Sequence, residues 1–182
     1  MTMMDVRHDS LHFDVASVNR QGVDTSIAGI LIDPQTMRAF VADEAAAQRS
    51  MEVGSPTDQV VIHLARGELS QAGEMIAEQR LLDPMNAHLR VLDTELTRIQ
   101  GDLHRAIHRL RKLAEEFAGT EYEALMLHHL GMAFYETGDY RAAITRFSLA
   151  LEQRQAIDSP EHLLQASRIC LEVAQERLQA SA

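Results

Sequence analysis

Three hexapeptides in this chain align without gaps: Gly67-Glu68-Leu69-Ser70-Gln71-Ala72, Gly101-Asp102-Leu103-His104-Arg105-Ala106 and Gly138-Asp139-Tyr140-Arg141-Ala142-Ala143. Their glycines lie 34 and 37 residues apart, and a large apolar residue (Ile76, Leu110 or Phe147) stands four positions past each final alanine. A near-constant period of this length, built from helical segments, marks helical hairpins that stack on one another. Each glycine falls where a helix must end, at a position that favours the left-handed conformation. The Asp or Glu after it can accept N–H groups at the start of the next helix, Asp better than Glu. The small alanine lets two helix axes approach, and the bulky residue one turn later fills the space beside it.

Other helix starts support the same spacing. Ser55-Pro56-Thr57-Asp58 places a capping serine before a proline in the first turn, with an acid three residues on. Thr120-Glu121-Tyr122-Glu123 has the sequence of a capping box, and Ser159-Pro160-Glu161 repeats the Ser-Pro opening. These signals predict helices over 56–66, 69–82, 86–100, 103–117, 121–137, 140–156 and 160–179. An earlier, alanine-rich helix is expected over about 36–51, following Asp33-Pro34-Gln35-Thr36. Residues 1–33 mix isolated apolar positions with the turn signal Asn19-Arg20-Gln21-Gly22, which suits either a short hairpin or an arm docked on the helices. The arm is the expectation. The organisation is then an arm over 1–33, a helix within 34–52, three hairpins over 53–157 and a capping helix within 158–182.

Composition narrows the class of function. Only 4% of residues are aromatic and none is Trp, so the core must be aliphatic, which suits helices better than a sandwich of strands. The formal charge of −10 argues against nucleic acid or an anionic membrane surface as partner. The charge is uneven: the first 58 residues carry nine acids against four arginines, whereas Arg98, Arg105, Arg109, Arg111 and Lys112 cluster further on. Cys170 is the single cysteine, which excludes an internal disulfide or a cysteine-based zinc site. The first residues show no apolar run behind a basic stretch, and no run approaches the roughly 20 apolar residues that span a bilayer. A cytoplasmic location is expected.

The third unit resembles a tetratricopeptide repeat. Leu127-x-x-Leu130-Gly131-x-x-Phe134 matches that family's first-helix signature, with Leu where Trp is usual, and Gly138, Tyr140, Ala143, Phe147 and Ala150 follow at the family's offsets. Leu82-Asp83-Pro84 closes the first unit as the pattern asks; the second keeps its second helix, with Leu89, Leu92 and Leu96 in a first helix about one residue longer. The resemblance covers residues 53 to 157 and implies an all-α, right-handed superhelix of helix pairs, a tetratricopeptide-like solenoid whose first helices line a concave groove. Groove positions implied by it are Ile62 and Arg66 in the first unit, Arg90, Thr94 and Arg98 in the second, and His128, Met132, Tyr135 and Glu136 in the third. The implied role is binding of a protein or peptide segment, as an adaptor, chaperone-like or regulatory scaffold, without cofactor or metal. The alternative is a structural oligomer in which the last helix or the arm fills a neighbour's groove.

His104 and His108 share a helix face and His128 and His129 are adjacent, but a zinc site needs three or four ligands. Arg105, Arg109 and Lys112 form a basic stripe on a second helix, outside the groove. The last helix carries apolar residues from Leu163 to Leu178 on more than one face, so a homodimer through it is an expectation. No nucleophile elbow or phosphate-cradling loop is present, and an enzymatic role is not expected.

Overall fold

The computed structural model describes residues 22–181. Over that stretch the chain is mostly helical, with one small antiparallel sheet: β1 (Val23–Asp24), β2 (Ile30–Asp33) and β3 (Arg38–Val41), in the order β1-β2-β3. Eight helices follow among the described residues: α1 (Glu44–Val53), α2 (Pro56–Arg66), α3 (Leu69–Leu82), α4 (Ala87–Ile99), α5 (Leu103–Glu116), α6 (Glu123–Glu136), α7 (Tyr140–Ala156) and α8 (Glu161–Ala180).

The glycine signals hold in atomic detail. Gly67, Gly101 and Gly138 take φ of 73°, 92° and 82°. The residue after each donates its N–H five positions back, to His63, Thr97 and Phe134 in turn, and so satisfies a carbonyl at the helix end. A Cβ at any of the three would meet nothing within 4 Å, so it is backbone conformation, not space, that calls for glycine there. Asp102 and Asp139 then cap α5 and α7 by accepting from Arg105 and Ala142. Glu68 makes no such bond and meets His63 Nδ1 at 2.6 Å instead. Ser55 and Asp58 form the expected capping box on α2. Thr120 and Glu123 do not: Thr120 Oγ1 accepts from the Tyr122 N–H, while Glu123 takes the Gly119 N–H, and α6 starts at Glu123.

The region before α1 departs from expectation. The helix placed over 36–51 begins only at Glu44, capped by Asp43, and residues 38–41 form a strand. The Asp33 carboxylate accepts from the Gln35 N–H and the Thr36 hydroxyl, which closes a turn after β2, and Met37 completes it at φ 54°. That left-handed residue stops a helix from running through. β3 then pairs antiparallel with β2, from Ile30↔Val41 to Asp33↔Arg38, and β1 pairs with β2 from the other side. Residues 23–33 thus make a hairpin where an arm was expected; residues 1–21 of that segment lie outside the described residues.

Each helix packs on the next in sequence, from α1 on α2 through α7 on α8. Alternate helices also touch: α2 with α4, α4 with α6, α6 with α8. The sheet lies across this row, with β3 against α2 and β1 against α8. Its Val23 and Met37 share a core cluster with Val91, Met132, Tyr135 and Val173, while Ile30 packs with Ala47 and Ile62. Part of the apolar arc of α8 is met within the chain by α7, α6 and β1. Between α6 and α7 the helices meet at Gly131, where a Cβ would lie 2.7 Å from the Phe147 ring.

Candidate functional site: a cavity beneath the sheet

The nine groove positions fall on or near the face that the sheet crosses, and most are engaged by the chain itself. Ile62 is fully buried with Ile30 and Ala47. Arg66 meets Glu44 and Gln48 of α1, at 2.5 and 3.1 Å. Arg90 turns to α5 and forms a two-pronged pair with Glu116, both contacts at 2.6 Å. Thr94 is buried and donates to the Val91 carbonyl. Arg98 is fully buried: it pairs with Glu95 and with Glu136, and donates to the Met37 carbonyl at 2.6 Å. Glu136 also receives Arg38 of β3. Tyr135 accepts from Arg177, which reaches Gln35 in the β2–β3 turn. Arg98, Glu136 and the Tyr135–Arg177 pair thus hold the tip of the sheet onto α4, α6 and α8.

His128 and Met132 are different, because they line a partly open cavity of about 420 Å³ between the sheet and the row of helices. A volume of that size lies in the range of small-ligand sites. α2 contributes Val61 and Leu64, α4 contributes His88, Val91, Leu92 and Glu95, and α6 adds Leu125 and His129. Arg154 of α7 and His162, Leu163 and Ala166 of α8 close one end, while Ile27, Ile32 and Ala39 of the sheet region form the roof. The walls are mainly apolar, and the polar groups include His128, His129, Arg154 and His162.

The electrostatics follow from burial. Burial alone would push the Glu95 carboxyl up, but Arg98 beside it and the His129 contact at 3.3 Å outweigh that and hold it well below the usual carboxylate range. Burial pulls the Arg154 guanidinium down to about 10, so it keeps its charge at neutral pH. One of its nitrogens, Nη1, donates to the Leu163 carbonyl and to Ser167 Oγ, both at 2.7 Å. Ser167 in turn sits 3.4 Å from His128 Nδ1. Burial, with Arg154 and His129 nearby and only Glu95 opposing, holds His128 well below its ordinary value. It is neutral at pH 7. The Cys170 thiol is buried, which pushes it up to about 12, and it stays protonated and unreactive.

A pH dependence of stability follows. An imidazole whose folded-state value lies below 6.5 stays neutral while the unfolded chain takes up a proton, so stability falls as pH drops below 6.5. Glu95 adds a second loss at lower pH, below about 4.5, where the unfolded carboxyl protonates first. Urea unfolding followed by circular dichroism at neutral and mildly acidic pH measures the first step. His128→Gln flattens it; an unchanged slope in that variant would assign the loss elsewhere.

Outside the cavity, His104 and His108 are exposed on α5, and the described residues hold no group of three side chains able to ligate a metal. In the basic stripe, Arg109 is tied to Asp93 at 2.5 Å, while Arg105 and Lys112 are exposed. No helix among the described residues is long and apolar enough to cross a membrane. Arg154 escapes a reading based on first helices because it lies on a second helix. Its signal was nonetheless in the sequence: Ala143, Phe147, Ala150 and Arg154 fall on one buried stripe of α7, and a cation on such a stripe asks for an explanation. No known family, curated protein or solved structure matches this chain.

Proposed function

We propose that this chain is a partner-binding scaffold of the tetratricopeptide type, a right-handed stack of helical hairpins that takes a peptide or protein segment on the row α2, α4, α6, α8 and has no catalytic role of its own. The cavity under the sheet carries this reading: it is the part of that face which the sheet leaves unfilled, and its mainly apolar walls suit an anchoring apolar group. The regular glycine-capped turns and the contacts between alternate helices fit the same reading. Peptides selected from a random library for binding to the full chain provide the test. Leu125→Trp, which fills the cavity from a half-buried position, is expected to weaken them at least about tenfold, the effect of losing roughly 1.4 kcal/mol. His104→Trp on the exposed side of α5 leaves them unchanged. Selected peptides that ignore Leu125→Trp but lose affinity with His104→Trp would overturn the reading.

A structural role is favoured by one observation: the sheet already occupies this face, fastened through Arg98, Arg38 and Met37. In that second reading the N-terminal segment or last helix of one copy fills the groove of another. Light scattering on the purified chain decides it, since a concentration-independent monomer removes the oligomer.

A further inference from the structure

Two arginines are buried among the described residues, and they are treated differently. Arg98, fully buried, is answered by two carboxylates, Glu95 and Glu136. Arg154, 4% exposed, has no carboxylate within ion-pair distance among the described residues. Its Nη1 is used by Leu163 and Ser167, its other N–H groups have no acceptor among the described residues, and the side chain lines the cavity. A buried cation without a counter-charge is costly, and that cost is relieved when an anion enters beside it. His128, 3.4 Å from Ser167, lines the same cavity beside Arg154.

The acids that line the cavity do not supply this charge. Glu95 is held by Arg98 and His129. Asp58 closes the Ser55 capping box and Asp24 accepts from the Ser26 N–H, and neither forms an ion pair with Arg154. Leu163, Leu125, Met132, Val91 and Leu92, all apolar, also line the cavity.

We infer that the cavity takes a carboxylate carried on an apolar chain, its oxygens seated against the Arg154 guanidinium beside His128 and its chain against Leu125, Met132, Val91 and Leu92. A single guanidinium edge matches one planar carboxylate, whereas a phosphate dianion would call for a second buried cation. This inference rests on the cavity being the binding face and names what enters it. A free acid and the C-terminus of a peptide ending in an apolar residue share this chemistry.

Calorimetric titration of the full chain separates the cases, with octanoate, octanol, and a short leucine-terminated peptide in free-acid and amidated forms. Octanoate or the free-acid peptide is expected to bind about 10- to 100-fold more tightly than its neutral counterpart, the range for hydrogen bonds to a charged group. Arg154→Met abolishes that preference, Arg154→Lys keeps part of it, and Leu125→Trp blocks charged and neutral probes alike. A preference shown by octanoate alone identifies a free acid, and one shown by the peptide identifies a chain terminus; either supports the inference. Equal binding of charged and neutral probes, or a preference that survives Arg154→Met, overturns the carboxylate while leaving the cavity as the binding face. If Arg154→Met does not fold, the wild-type comparison and Arg154→Lys decide. Absence of binding by every probe sinks this inference, while the library selection with Leu125→Trp still judges the binding face itself.

Discussion

Arg98→Met lowers the unfolding free energy by about 3–5 kcal/mol, the cost of removing one partner from a buried charge cluster. The guanidinium is fully buried and serves three acceptors: the Glu95 carboxylate, the Glu136 carboxylate and the Met37 carbonyl. Without it Glu95 keeps only its His129 contact, and the Met37 carbonyl at the sheet turn loses its donor. Glu136 is less affected, because Arg38 remains. The double variant Arg98→Met, Glu95→Leu recovers most of the loss, since a well-packed apolar pair can replace a buried ion pair at little cost. Urea denaturation of the two single variants and the double variant measures this. A loss below about 1 kcal/mol for Arg98→Met, the size of an exposed pair, would mean that the cluster is open to water. The same geometry shows why charge reversal at Arg98 is a poor probe of binding: it reports on the fold.

Phe147→Ala costs about 3–5 kcal/mol, as large-to-small changes in a packed core do. Phe147 is fully buried, touches His128 with ring centroids 5.4 Å apart, and lies where α7 meets Gly131 of α6. The reciprocal change, Gly131→Ala, pushes a methyl to 2.7 Å from that ring and costs about 1–3 kcal/mol by overpacking. Because the two residues share one contact, Gly131→Ala combined with Phe147→Leu costs less than the sum of the separate changes. Strict additivity in thermal unfolding would show that the ring and the glycine do not constrain one another.

The repeated helices were readable because their determinants are local. A glycine, an acid, an alanine and a bulky residue at fixed offsets set the end of one helix, the start of the next and the depth of the crossing, all within about a dozen residues. Two local readings were displaced. Thr120 and Glu123 have the sequence of a capping box, yet their bonds went to Tyr122 and Gly119. Asp33-Pro34-Gln35-Thr36, read as a helix start, set the predicted helix from 36, where the Asp33 turn and left-handed Met37 lead into a strand instead.

The candidate site was less legible, because its determinants are remote. The first-helix positions were found, but nothing near Arg98 in sequence says that Met37 and Glu136 lie against it, 61 and 38 residues away. His128 and Met132 were identified and do line the cavity. Arg154, which supplies the charge, was overlooked because helix pairing directs attention to the opposite helix of each unit.

The strip of sheet joins elements far apart along the chain, β3 resting on α2 and β1 on α8. An array of hairpins without such a strap can fray from either end, since each unit leans only on its neighbours. Here the early strands bind the last helix, so loosening α8 also strips cover from β1. The sheet acts as a buckle: it ties late-made helix to early-made strand, slows assembly by requiring a long loop to close, and makes unfolding a shared event.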